Sequence, residues 1–285
     1  MKHGEFRLGA FKFGTGHSVY PSSVQRGGTE WRTHDVESPV ADRIFFGTDF
    51  RKPLPWKFEF TITGDSPEEA TANMLELARA WDYSPEARRA GVEQTLTFNR
   101  HGVDYLLYGR ARDLVVEDND AWVLETVKAT GIFQPSDPVL YAASRQSVSM
   151  TITPGKAGGL IFPAVFPWGT IGSTGRAGVI DAGGGTTPTR DVIVKIDGPI
   201  VNPVVRGKGW KLEFNLSLAY DQSVTVNARK RTVLLNNGGS AAGRLSRASR
   251  LSAITIPPGA SEIFFEGTDR SGTSKLTVSW RNATV

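Results

Sequence analysis

The chain has 285 residues and contains no cysteine. Disulfide frameworks, thiolate metal sites and cysteine nucleophiles are therefore excluded. Its four histidines, His3, His17, His34 and His101, are scattered and suggest no metal site. No P-loop, HExxH or GxSxG motif is present, and the triple glycine at 183–185 lacks the lysine and helix of a phosphate loop. We expect a protein without catalytic activity, metal or cofactor.

Long hydrophobic runs are also missing. The longest apolar stretch, residues 158–172 (GGLIFPAVFPWGTIG), is too short to span a bilayer and is interrupted by prolines and glycines. The N-terminal stretch MKHGEFRLGAFKFG lacks the apolar core of a signal peptide. We therefore expect a soluble protein that is not exported by the usual route.

The composition favours an ordered, turn-rich β protein. Hydrophobic residues make up 39% and charged residues 22%, which is enough apolar content for a core. The 31 glycines and 16 prolines favour the many turns of an all-β fold. The net charge of +4 is too small to indicate a nucleic-acid partner by itself.

Residues 66–81 (SPEEATANMLELARAW) predict a helix near 67–81. Ser66 suits the N-cap, Pro67 suits the first helical position, and Glu69 completes a capping box. One apolar stripe recurs at helical spacing and predicts packing on a sheet of the same domain. The stripe consists of Ala70, Met74, Leu77 and Trp81.

The remaining patterns predict three parts. Residues 1–137 combine alternating strands, such as KFEFTIT and the hairpin QTLTF–VDYLLYGRAR, with the helix, and form an N-terminal β domain. Residues 138–174 are expected to be a connector or arm. Residues 175–285 have short strands at regular spacing, which is typical of a β-sandwich. The connector is too apolar for a free linker, so Phe162, Phe166 and Trp168 are candidate subunit-interface residues.

Residues 197–218 combine two prolines with a regular strand pattern. Because proline cannot donate to a sheet ladder, Pro199 and Pro203 are expected to mark a corner where one strand ends and the chain crosses. A long strand is expected to follow. Its predicted inward side chains are Trp210, Leu212, Phe214, Leu216 and Leu218.

A basic segment lies within the predicted sandwich, because no acid occurs between Asp221 and Glu262. This surface is suited to nucleic-acid phosphates, to solvent, or to an acidic neighbouring subunit, and the last two are favoured because interleaved aromatics are missing. Its candidate interface residues are Arg229, Lys230, Arg231, Arg244, Arg247 and Arg250.

Two other functions stay open for a sandwich. Sugar binding would use exposed aromatics, and the alternation places Trp210 and Trp280 in the core while leaving Trp168 and Tyr220 as candidates. Glycoside hydrolysis would need paired carboxylates. The candidates for that pair are Asp197, Glu213 and Glu262.

The order of several short motifs resembles that of the distal tail proteins of long-tailed phages. In the second half these are Gly198-Pro199, Asn202-Pro203, residues 230–233 (KRTV), Pro258-Gly259 and residues 276–283 (LTVSWRNA). The first half is similar through RIFFGTDF, PWKFEFTI, the capped helix and YGRAR, and the connector through GGLIFPAVFPW. The resemblance covers nearly the whole chain.

The resemblance implies a tail-tube-like β domain with one helix, followed by a galectin-like or carbohydrate-module-like sandwich. It implies a homo-hexameric ring at the tail tip of the virion, made in the bacterial cytoplasm. That ring would join the tail tube to the hub or tail-associated protein. The tape-measure protein and then DNA would pass through the channel. We expect the N-terminal domain to close the ring, and a host surface glycan is an alternative partner for the sandwich.

Overall fold

The computed structural model describes residues 1–82, 85–86, 88–117, 125–152, 175–269 and 271–285. They form two compact units, one of residues 1–143 with Val285 and one of residues 144–284. The predicted boundaries at 137 and 174 stay a prediction, because residues 153–174 of the connector lie outside the described residues. The prediction of a mainly β protein is confirmed.

The first unit contains a main antiparallel sheet and one α-helix among its described residues. The strand order of that sheet is β2-β1-β9-β10-β11-β8-β3, and β12 pairs with β10. The elements are β1 (Glu5–Leu8), β2 (Phe11–Gly14), β3 (Val19–Arg26), β4 (Trp31–Arg32), β5 (Val36–Glu37), β6 (Ile44–Phe45), β7 (Phe50–Arg51), β8 (Trp56–Thr63), α1 (Pro67–Trp81), β9 (Gln94–Arg100), β10 (Val103–Val116), β11 (Thr126–Pro135) and β12 (Leu140–Ala142).

The predicted helix is confirmed with its cap. The backbone N–H of Glu69 donates to the Ser66 hydroxyl at 3.2 Å, and the Glu69 carboxylate accepts from the Asp65 N–H at 2.9 Å. Such a cap stabilises a helix by about 1 kcal/mol. Ala70, Leu77 and Trp81 are buried in the core of the first unit, as the apolar stripe predicted.

The second unit contains two five-stranded sheets with a shared core, the arrangement of a β-sandwich. One sheet has the order β13-β22-β15-β19-β20, and the other has the order β14-β21-β16-β17, with β18 paired to β16. The elements are β13 (Gln146–Thr151), β14 (Gly175–Asp181), β15 (Val192–Asp197), β16 (Ile200–Gly207), β17 (Trp210–Glu213), β18 (Ser217–Leu218), β19 (Ser223–Asn227), β20 (Thr232–Leu235), β21 (Ala260–Thr268), β22 (Lys275–Trp280), β23 (Ala283–Thr284) and two 3₁₀ turns, Ala242–Arg244 and Leu251–Ala253.

The predicted corner forms at Pro199 but not at Pro203, because β15 ends at Asp197 in one sheet and the chain crosses through Gly198-Pro199 into β16 of the other sheet. Pro199 precedes β16 in a cis peptide bond with Gly198, and Pro203 lies inside β16 at a bulge where the pairing with β21 shifts. The chain then turns directly into β17, which pairs back on β16. The expected long strand is also wrong, because it divides into β17 and β18 opposite this bulge. Its inward pattern is largely right, since Trp210, Leu212, Phe214 and Leu218 are buried and Leu216 packs against that core.

Asp269 organises the turn between β21 and β22. Its buried carboxylate accepts bonds from the backbone N–H groups of Ser271, Gly272 and Ser274 and from the Ser271 hydroxyl, at 2.7 to 3.0 Å. Burial raises the pKa of this carboxyl, but these hydrogen bonds outweigh it and lower the pKa to about 2.

We predict that Asp269→Asn destabilises the second unit by about 2 kcal/mol at pH 7. The folded-state pKa lies below the unfolded value, so the stabilisation is complete above about pH 4 and is lost as the pH falls toward 2. Urea unfolding of both proteins between pH 7 and pH 2.5 measures this. The exposed Asp221→Asn is the matched control. A difference between Asp269→Asn and the unmodified protein that does not shrink on acidification would contradict the prediction.

Candidate assembly interface

The most exposed apolar surface of the described chain is a β-ribbon between β3 and β8. We call residues 28–52 the arm and residues 34–49 its tip. Every side chain from 28 to 50 is exposed except Ser38, which is half-buried. Monomeric proteins rarely expose contiguous apolar patches unless these serve an interaction. The exposed large apolar side chains of the arm are Trp31, Val36, Val40, Ile44, Phe45, Phe46 and Phe50.

The arm is one antiparallel ribbon with a bulge. Near the sheet, Trp31 pairs with Arg51, and at the tip, Val36 pairs with Phe45. The pairing register shifts by one residue between these two ladders, so the strand that returns to the sheet contains one extra residue. The Asp35 carboxylate bridges this point by accepting from the Gly47 N–H at 2.9 Å. Phe46 lies in this irregular segment with 85% of its side chain exposed.

Arginines cover the aromatic rings of the arm without burying them. The Arg51 guanidinium lies 5.5 Å from the ring centre of Trp31, and Arg32 lies 5.2 Å from that of Phe50. Arg43 lies 4.7 Å from the ring of Phe45. At exposed sites such pairs contribute about 0.5 to 1 kcal/mol each. They stabilise the short ribbon, and tryptophan and arginine are among the side chains that dominate binding energy at protein interfaces.

Charge is distributed unevenly along the arm. The tip carries four acids, Asp35, Glu37, Asp42 and Asp49, against one base, Arg43. The tip is therefore both apolar and acidic. A surface that binds it needs apolar side chains and positive charge together.

A cavity of about 270 Å³ lies where the arm leaves the sheet, and we call it the root cavity. Its apolar lining includes Leu54, Trp56, Leu107 and Leu140, and its charged lining is Arg26, Arg51, Lys52 and Asp137. Arg26 stacks on Trp56 at 5.5 Å from the ring centre, and Arg51 donates to the Thr29 hydroxyl at 3.0 Å. Lys52 pairs with Glu30, and Asp137 accepts from the Tyr141 hydroxyl at 2.9 Å. The root cavity is thus lined by polar and apolar groups together and has an excess of cations.

The structure places the predicted basic residues at two locations in the second unit. Arg229, Lys230 and Arg231 lie on the turn between β19 and β20. The other three lie in the loop between β20 and β21, and all three are exposed. They are Arg244, Arg247 and Arg250. Their role at a subunit interface stays a prediction. The other candidates, Phe162, Phe166 and Trp168, lie outside the described residues.

The residues proposed for sugar chemistry are dispersed. Trp210 and Trp280 are buried, as predicted, whereas Tyr220 is 78% exposed. Of the three candidate carboxylates, Asp197 lies on one sheet and Glu213 and Glu262 lie on the other. A hydrogen bond from Lys211 and its charge lower the pKa of Glu213, the opposite of what a general acid requires.

The described residues give no evidence for a metal site or for a helix that spans a membrane. No group of three or more histidine, aspartate or glutamate side chains in that part of the chain is placed to hold a metal ion. Within the same ranges, no helix is long and apolar enough to cross a membrane.

Sequence reasoning missed the arm as a functional element. Only RIFFGTDF, at its returning strand, was noted, and only as part of the family resemblance. The available signal was a set of large apolar residues between 31 and 50 that do not keep to one face of a strand. Apolar residues that lack the alternation of a half-buried strand are found in exposed ribbons and also in irregular core segments. The sequence pattern alone does not distinguish these two structures.

Comparison with known proteins identifies the fold. No protein-family model matches the chain, and no curated protein matches it by sequence. Solved structures of phage tail proteins do match in three dimensions over nearly the whole chain. At the identities found, this likeness establishes a fold: a mainly β chain with the architecture of phage hub and baseplate components.

One of these structures is the Dit protein of phage SPP1, described as a paradigm of the hub adsorption apparatus in phages that infect Gram-positive bacteria. Its TM-score is 0.65 at 11% identity, covering 99% of each chain. Another is the activated phage P2 baseplate with calcium, with a TM-score of 0.54, 11% identity and 97% coverage of each chain. The predicted resemblance to distal tail proteins is confirmed at the level of the fold. The finer likeness of the two units to a tail-tube protein and a galectin stays a prediction.

We predict that Phe46→Ser leaves the thermal unfolding of the first unit unchanged within about 0.5 kcal/mol, because an exposed side chain contributes little to folding. The same change at Phe60, which is 1% exposed, is expected to cost several kcal/mol, roughly 3 to 5. Calorimetry of both variants makes the comparison. Equal destabilisation by the two changes would mean that the arm packs within its own chain and is not an interface.

Proposed function

We propose that this chain is a structural, non-catalytic component of the tail tip of a long-tailed phage. As a distal tail protein it forms a hexameric ring that joins the tail tube to the hub or tail-associated protein. The tape-measure protein and then DNA pass through the channel of the ring. The chain is made in the cytoplasm of the bacterial host and acts in the virion.

The observation that carries this proposal is the fold likeness to the SPP1 Dit protein over 99% of both chains. A likeness over one unit alone would also suit an unrelated sandwich protein, because sandwiches serve many functions. Here one likeness covers both units in a single chain. That combination favours a role in a phage hub over a general binding module.

The arm supports assembly through the first unit. A ring is a closed head-to-tail assembly in which each subunit presents two different surfaces to its neighbours. The arm tip is one such surface, because it is apolar, ordered and exposed. We therefore infer that the first unit closes the ring and that the sandwich lies outside the closing contacts.

Glycan binding by the sandwich is the second candidate function. The exposed ring of Tyr220, between β18 and β19, is the observation that favours it, since sugars stack on exposed aromatics. A glycan array probed with the full chain and with Tyr220→Ala tests this. Binding that is lost in Tyr220→Ala would support a receptor-binding role in addition to assembly.

We predict that the purified protein forms a ring with a mass near six times that of the 31.0 kDa chain. Light scattering gives the mass, and negative-stain images give the ring and its central opening. Phe46→Ser is expected to shift the population toward monomer while the fold is retained. A stable monomer at every concentration, together with glycan-array binding, would instead favour the second candidate.

A further inference from the structure

Of the cations that line the root cavity, Lys52 is paired with a carboxylate of the described chain and Arg26 is not. Among the described residues, no carboxylate contacts Arg26, whose guanidinium lies on Trp56. Lys52 is paired with Glu30, and Asp137 is hydrogen-bonded to Tyr141. Partial burial and the nearby charges of Arg100 and Arg51 lower the pKa of Arg26. Partial burial and, after it, the neighbouring positive charges disfavour the charged form, and an incoming carboxylate would offset the effect of those charges.

We propose that the root cavity of one subunit receives the acidic, apolar tip of the arm of a second copy of this chain. This inference rests on the proposed function and names the two surfaces that close the ring. The tip brings Asp42 and the other acids toward Arg26, and its valine and phenylalanine side chains meet Leu54, Trp56 and Leu140. Charge is therefore complementary on the two sides, and apolar side chains are present on both.

The cavity size and the arm length both suit this occupant. A cavity of 270 Å³ lies below the roughly 300 to 1,000 Å³ of pockets for drug-sized ligands, so it suits a few side chains. From Thr29 to the tip at Val40 the ribbon spans about 11 residues, or about 36 Å at roughly 3.3 Å per residue. That length is comparable to the roughly 30 Å width of a small domain, so the ribbon is long enough for its tip to contact a neighbouring subunit.

A second cavity of the first unit does not suit the tip. It lies between the β1–β2 turn and α1, with a volume of about 570 Å³. Its charged lining comprises three acids, Glu76, Glu86 and Glu93, and one base, Arg79. Like charges across an interface are unfavourable, so an acidic tip is repelled there and attracted to the root cavity.

The absence of native cysteine permits a direct test by disulfide cross-linking. We would introduce Gly28→Cys at the root cavity and Asp42→Cys at the tip of the same chain. A side chain fits at Gly28, because a Cβ there meets no atom within 4 Å. Under mild oxidation the double variant is expected to give a ladder of covalent oligomers on a denaturing gel, up to a closed ring.

The matched control pairs Asp42→Cys with Glu76→Cys at the second cavity and is expected to stay monomeric on the same gel. A ring seen by light scattering without a ladder from the Gly28–Asp42 pair would overturn this inference and leave the proposed function standing. A monomer without a ladder would contradict both. A ladder of equal strength from the control pair would also overturn the inference, since the contact would then be non-specific.

A charge exchange gives an independent readout. Arg26→Glu or Asp42→Lys alone is expected to raise the concentration needed for half-assembly at least tenfold. The two changes together in one chain are expected to restore assembly, because the new lysine of one tip meets the new glutamate of the next root cavity. Glu76→Lys is the matched charge reversal that leaves assembly unchanged. Failure of the combined variant to recover, with its fold intact by circular dichroism, would overturn the inference.

Discussion

The packing of Trp81 on the first sheet is the contact on which the rest of the first unit depends. Its indole N–H donates to the carbonyl of Arg112 at 3.0 Å, and its ring meets Phe60 edge-on at 5.1 Å between centroids. A Cβ at Gly131 would come within 2.9 Å of this ring, so glycine is required for the close approach. One side chain thereby holds α1 against β8, β10 and β11, and these strands support the arm.

The support reaches the arm through the last pair of the β3–β8 ladder. Arg26 and Trp56 are paired in register, and the guanidinium stacks on the indole at the point where the two strands separate. Trp56 is also in contact with the Phe98 ring at 5.3 Å. The buried sheet thus fixes the direction in which the arm leaves, while the large apolar side chains of the arm are exposed. Under the proposed function, stability and assembly are consequently carried by different residues.

The parts of this fold that could be predicted are those where local chemistry decides the structure. The cap at Ser66, the stripe ending at Trp81 and the alternating strands need only short-range patterns. The corner expected at both prolines forms only at Pro199, because a bulge places Pro203 inside β16, and only the pairing with the partner strand reveals this. The arm was missed for a related reason. Whether an apolar side chain is exposed depends on what the rest of the chain covers, and the residue types alone do not show this.

The cluster of cations at the root cavity was also hard to predict from the sequence. The sequence shows only where positively charged residues are close together along the chain. The acid-free segment of the sandwich contains six bases, yet these divide between a turn and a loop. The root cavity collects its cations from both ends of the arm, Arg26 before it and Arg51 and Lys52 after it, with Glu30 close by in sequence. A β-ribbon necessarily brings its two ends together, so it concentrates charge that the linear sequence separates by some 25 positions. The same ribbon carries acids to its far end, so in the proposed ring one element supplies the two unlike surfaces that closure requires.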